Sequence, residues 1–97
     1  MKFEWNETKN KSNKNKHGLH FETAALVFQD PYILSVHDER YIEERWYSLG
    51  LIHDVVIYVA HTIKEGENDE EEIIRIITAR AATSVESKRY FAYRECS

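Results

Sequence analysis

Between Tyr32 and Ala79 the chain holds several β-rich runs joined by links too short to carry a helix. That constrains its fold more than any other feature. Parallel neighbours need a crossover of a dozen or more residues, roughly, whereas antiparallel neighbours close through a short turn. Tyr32-Ile33-Leu34-Ser35-Val36-His37 reads as the first run and Asp38-Glu39-Arg40 as a turn. Glu44 to Leu51 and Val55 to Thr62 follow, split by Ile52-His53-Asp54, which suits a hairpin loop. Ile73 to Ala79 is the last run. The expectation is an antiparallel sheet of three to four strands.

Helices flank these runs. Phe21, Ala24, Ala25 and Phe28 fall at i, i+3, i+4 and i+7, one face of a helix. Asp30-Pro31 stops it, because proline lacks a backbone donor and disfavours helical geometry before it. Upstream, Phe3 and Trp5 alternate with polar neighbours and fit a short first strand. Residues 7–16 contain no apolar side chain, yet Asn6 can cap a helix there and Gly18 can end it. A helix polar all round offers a core nothing to hold. At the far end, Thr83-Ser84-Val85-Glu86 is a capping box opening a helix with Lys88, Arg89, Tyr90, Phe91, Tyr93 and Arg94. The fold class expected is α+β, with two N-terminal helices and a C-terminal helix packed on one face of the sheet.

Ninety-seven residues suit one domain spanning 1–97, and 42% hydrophobic with 31% charged residues is ordinary for a folded, soluble chain. No apolar run approaches the roughly 20 residues of a membrane span. The N-terminus lacks the apolar stretch of a signal peptide. A cytoplasmic protein with no membrane partner is expected. The single Cys96 has no partner for a disulfide and is read as a free thiol without a role. The net charge of −4 hides a pattern. Residues 1–20 carry five Lys against two Glu, and residues 73–97 carry five basic against two acidic side chains. Residues 65–72 alone hold six acidic groups, a run that fits a solvated hairpin loop. Local charge, more than the sum, sets the field at a surface.

Three stretches in order carry a likeness. The first is Phe3-Glu4-Trp5, Lys9, Asn13, Lys16-His17-Gly18, Phe21, Ala25, Phe28 and Asp30-Pro31. The second is Glu44-Arg45-Trp46 with Leu49-Gly50. The third runs from Ile74-Arg75-Ile76-Ile77-Thr78-Ala79-Arg80-Ala81-Ala82-Thr83 to Glu86 and Tyr90. Together they resemble the BrnT family of toxins over nearly the whole chain. The resemblance implies a RelE-like fold, an endoribonuclease that inhibits translation, and a type II toxin–antitoxin operon, bacterial or archaeal. It implies a BrnA-type antitoxin as partner, with operator DNA contacted only through that antitoxin. Four features depart from the family pattern: Asn6 in place of Asp, Lys64 where Arg is common, Thr78 in place of Ser, and a long acidic loop. Lys64 matters most, since a guanidinium grips a phosphate through two parallel hydrogen bonds and an ammonium does not.

Metal-free RNA cleavage needs a base for the ribose 2′-OH, a cation for the phosphate and an acid for the leaving oxygen. No cofactor is called for, and the five histidines show no metal-ligand spacing. His17, beside Lys16, is a candidate for proton transfer; its structural alternative is a helix C-terminal residue favouring the dipole. His61 shares one strand face with Val55, Ile57 and Val59; it is a second proton-transfer candidate, or a strand histidine with a hydrogen-bond partner. His20, His37 and His53 read as surface residues. Arg75 and Arg80 are the candidate phosphate cations. Arg75 sits among four isoleucines and must reach a carboxylate such as Glu44, open solvent, or a phosphate. Five positions separate the two arginines, so a regular strand would send them to opposite faces, and one site can use both only if a bulge intervenes. Lys9 and Tyr90 are candidate RNA contacts, Tyr90 also serving to pack the last helix; Trp46 reads as core. The rival reading is a weakened toxin acting as an interaction module and co-repressor with its antitoxin. A DNA-binding protein in its own right fits less well, for lack of a helix-turn-helix pattern.

Overall fold

The computed structural model describes residues 1–67 and 71–96. Of the acidic loop, Asn68, Asp69 and Glu70 lie outside the described residues. The elements run β1 (Lys2–Glu4), α1 (Glu7–His17), α2 (Phe21–Ala24) continuing into a 3-10 helix (Ala25–Gln29), β2 (Leu34–His37), β3 (Trp46–Ile52), β4 (Val55–Lys64), β5 (Ile73–Ala81) and α3 (Ser84–Glu95). The α+β class is as expected. The sheet is larger than expected, with five strands in the order β1-β5-β4-β3-β2. It is also mixed. β2 to β5 form the antiparallel meander, and β1 adds a parallel edge, with Phe3 opposite Ile74. That pairing sets Lys2 opposite Ile73, which no local pattern encodes.

The helices lie on both faces of the sheet, not on one. Alternate residues of β4 report this. Ile57 and Val59 point into a core with Phe21, Ala24, Val27, Ile74, Ile76 and Ala79, beneath α2 and the 3-10 helix. Val56, Tyr58 and Ala60 point the other way, into a smaller cluster with Leu49 and Tyr90 of α3. On the first side the approach is close: a Cβ on Gly50 would lie 2.7 Å from Val27 Cγ1 and 3.0 Å from the Val27 carbonyl oxygen. Only the absent side chain lets the 3-10 helix rest on β3.

α1 forms where its caps predict. Asn6 accepts from Lys9 N–H at 3.0 Å, and Gly18, at φ 72°, ends the helix. Its attachment is polar. Asn13 is buried, and its amide donates to the carbonyls of Ala79 and Leu19 at 2.8 Å and accepts from Ala79 N–H at 3.1 Å. It thus serves both backbone groups of β5 just past the three-residue strand β1, in the manner of a strand partner. Asn10 accepts from Phe21 N–H and donates to Glu7 and Glu22, fixing α2 to α1. The helix without apolar residues is held by two amides in place of a greasy stripe.

α3 opens with the expected capping box, Thr83 and Glu86 each serving the other's backbone N–H. Tyr90 has no exposed surface, and its hydroxyl donates to Asp30. The other donors to Asp30 are Leu51 N–H and Tyr32 N–H, both at 2.8 Å. Burial pushes this carboxyl up, but the three hydrogen bonds win and hold it below the usual carboxylate range. Burial, then Asp30, pushes Tyr90 up to about 12.

Candidate functional site

The five-residue gap between Arg75 and Arg80 is resolved by a bulge. Ala60 pairs with Thr78 and His61 with Ile76, so Ile77 is the extra residue. Arg75 therefore lies opposite Thr62 and Arg80 opposite Tyr58. Thr62 and Tyr58 are four apart on a regular strand, so both arginines share the α3 face, about 13 Å apart by the ordinary rise of a strand. Arg80 lies within β5, not past it.

Arg80 is firmly placed. Its guanidinium carbon stands 3.9 Å over the Tyr58 ring centroid. Nη1 and Nη2 donate to the two oxygens of Glu86 at 2.7 and 3.1 Å, a fork-on-fork pair. Glu86 pushes the Arg80 guanidinium up, and Arg80 in turn holds the Glu86 carboxyl below its ordinary value. Arg75 is nearly half exposed and lies 3.6 Å from Glu4, which also meets Lys64 at 3.2 Å. Its carboxylate is thus Glu4, brought in by the parallel pairing of β1, and not the expected Glu44. Glu44 instead lies 3.9 Å from His37.

The same bulge walls a cleft. Lys9, Ser12, Asn13, Lys16 and His17 of α1 face Ile77 and Thr78 across a hollow of about 180 Å³. Thr78 donates its hydroxyl to Asn13 Oδ1, which fixes the floor. Three of the sequence candidates, Lys9, Lys16 and His17, therefore meet at the stretch of β5 that lies between the other two, Arg75 and Arg80. All three are exposed.

Two candidates stand elsewhere. His61 has no exposed surface and lies on the opposite face, its ring 5.0 Å from Phe28 and its Nε2 at 2.7 Å from Ser48 Oγ. Burial pushes its ring down to about 4, so it stays neutral at ordinary pH. It is a core histidine that no RNA chain can touch in this fold. Tyr90 is equally sealed, and the anchoring reading replaces the stacking one. Trp46, expected in the core, is only partly buried and packs edge-on against His37.

Sequence reasoning missed the surroundings of Arg80. Tyr47 and Tyr58 stack at 5.3 Å, and Arg89 of α3 donates to the Tyr47 hydroxyl. Arg40 grips the buried Asp38 through two hydrogen bonds at 2.6 and 2.8 Å, which hold that carboxyl down at about 2. Arg45 lies 4.0 Å over the Tyr41 ring. Arginine guanidinium planes interleaved with tyrosine rings form a surface suited to phosphates and bases. The signal was the hairpin register, which sets Tyr47 and Tyr58 on one face; it becomes visible only once the strands are aligned.

No curated protein matches the chain. A family model does, over residues 5–86, and it describes a ribonuclease toxin, BrnT, of a type II toxin–antitoxin system. The matched span takes in α1 with its cleft, the whole meander, the bulge, Arg80 and the Glu86 that meets it, so the chain belongs to the BrnT family of ribonuclease toxins.

Proposed function

We propose that this chain is an endoribonuclease toxin of RelE-like fold that works without a metal and draws RNA across the α3 face and the outer edge of β5. The observation that carries this is the bulge at Ile77, which returns Arg75 and Arg80 to one face and sets the Lys9–Lys16–His17 cleft between them. In the proposed reaction a base takes the ribose 2′-OH proton, O2′ attacks phosphorus, and the P–O5′ bond breaks as an acid protonates the leaving oxygen. His17 and Lys16 supply the proton transfers. Arg75 and Arg80 steady the phosphate, and Lys9 guides the backbone. His61 and Tyr90 take no part, because neither has any exposed surface.

In the cell the expected consequence is blocked translation, relieved by a BrnA-type antitoxin that also carries the complex to operator DNA. The test is induction of the chain alone in a bacterial host. Growth arrest with RNA fragments, relieved by the antitoxin, is the expected result. Arg80→Ala should abolish arrest while the far-ultraviolet spectrum and melting transition stay those of a folded chain. Cleavage in vitro should survive a chelator; loss in chelator with recovery on adding metal would overturn metal independence.

One observation favours a second reading, a weakened toxin that serves as co-repressor. Both arginines are engaged by carboxylates of the chain itself, Arg75 by Glu4 and Arg80 by Glu86, and Glu4 also binds Lys64. Normal growth with abundant folded protein and intact RNA would select it.

A further inference from the structure

The Glu86 carboxylate sits where an anion would sit. Three donors converge on it: Arg80 Nη1 at 2.7 Å, Arg80 Nη2 at 3.1 Å and Thr83 N–H at 2.8 Å. The Tyr58 ring backs the guanidinium, and its fork meets Glu86 and, at 3.3 Å, the Ala81 carbonyl. Neither partner is sealed, Arg80 being 31% and Glu86 21% exposed in their side chains. A phosphodiester carries the same single charge and presents two terminal oxygens to the same fork. It cannot bind Arg80 in this way while Glu86 holds the place.

We propose that Glu86 is an internal substitute for a phosphate, a gate that keeps Arg80 closed to single phosphates and opens it to a polyanion. The inference rests on the ribonuclease reading above. Glu86 competes from within the chain, held close by its role in the capping box, so its effective concentration is high. A lone phosphate gains only the fork it must empty. An RNA strand also gains Arg75 and the lysines of the α1 cleft, and these contacts offset the loss of Glu86. Selectivity for long chains over mononucleotides follows from the carboxylate, not from a pocket shape.

The experiment measures binding of a fully 2′-O-methylated RNA oligomer, which lacks the attacking hydroxyl, by anisotropy at several salt concentrations. Glu86→Gln keeps an acceptor for Thr83 N–H and removes the charge. It should bind the oligomer at least fivefold more tightly, with about the same salt slope, because the strand reaches Arg80 in both chains. Inorganic phosphate should compete with the oligomer on Glu86→Gln and not on the parent chain. The gain should vanish in Arg80→Ala/Glu86→Gln. A gain that persists there is bulk charge removal and overturns the gate. Equal or weaker binding by a folded Glu86→Gln also overturns it, and makes Glu86 a residue that positions Arg80. If Glu86→Gln does not fold, Glu86→Asp serves: it keeps a negative charge at the start of α3 but falls short of the fork, and should show a smaller gain of the same sign. If the parent chain itself fails to bind the oligomer, the ribonuclease reading fails and takes the gate with it. Binding by the parent without a gain in either variant sinks the gate alone.

Discussion

The two faces of the sheet solve opposite problems. Under α2 and the 3-10 helix lie an apolar core, a neutral histidine on a serine, and an amide that serves the backbone of β5. Under α3 the covering is partial. Tyr90, Tyr58 and a few aliphatic residues form the smaller cluster beneath the helix, and beside it the partly exposed Tyr47 and Arg80 lie on the strands. The larger core lies on the first face, and the proposed RNA contacts Arg75 and Arg80 lie on the second. His61 and Asn13 are satisfied within the interior, whereas Arg75 and Arg80 on the second face are paired with the partly exposed carboxylates Glu4 and Glu86.

The sharpest way to break this contrast is Asn13→Leu. It has the right size for its site but strips Ala79 of both backbone partners, and each buried group left unpaired costs about 1–3 kcal/mol. A loss of roughly 3–5 kcal/mol in urea denaturation is expected. A loss under about 1 kcal/mol would mean that α1 docks by other means.

A smaller effect should come from His61, read as a pH dependence. Its folded ring is pushed down to about 4 by burial, against an ordinary value of 6.5. Acid therefore favours the unfolded chain. The contribution is intact above pH 6.5 and is lost as pH falls from there towards 4. The full effect is about 3 kcal/mol. Asp30 and Asp38, held low when folded, lose their contributions at more acid pH, below their ordinary value of 3.8. His61→Gln should flatten the stability profile between pH 6.5 and 4; an unchanged slope there would reassign it to another group.

The smallest change in stability is expected on the open face. Arg75→Ala, exposed and paired with a shared carboxylate, should shift stability by no more than about 0.5 kcal/mol. RNA cleavage by the same variant should fall at least tenfold, about 1.4 kcal/mol of transition-state stabilisation. A variant that keeps full cleavage would confine the phosphate site to Arg80.

Local signals in the chain gave much of this away. The caps Asn6 and Gly18, the box at Thr83 and Glu86, and the hairpin near His53 are each contained within a few residues and were legible, though Ile52, expected in the hairpin loop, is the last residue of β3. The bulge was legible as a condition: Arg75 and Arg80 could share a site only if one existed. What escaped was everything set by distant pairing. The alternation at Phe3 and Trp5 marked the first strand, but nothing near Lys2 announces a parallel partner about 70 residues on, so its place in the sheet and the Glu4–Arg75 contact stayed hidden. His61 shows why a site is harder to read than a fold. Its strand face was assigned correctly, but which face α2 would cover is decided by a helix 40 residues away in sequence.

The amide of Asn13 reaches across 66 positions to Ala79. A nascent chain that has exposed only α1 therefore has no docking partner for that helix, and an isolated polar segment of 11 residues is a marginal helix in water. β1 waits in the same way for Ile73 to Arg75. The cleft of Lys9, Lys16 and His17 has no far wall until Ile77 and Thr78 leave the ribosome exit tunnel. The hollow between α1 and the sheet is therefore assembled only after β5 has been made.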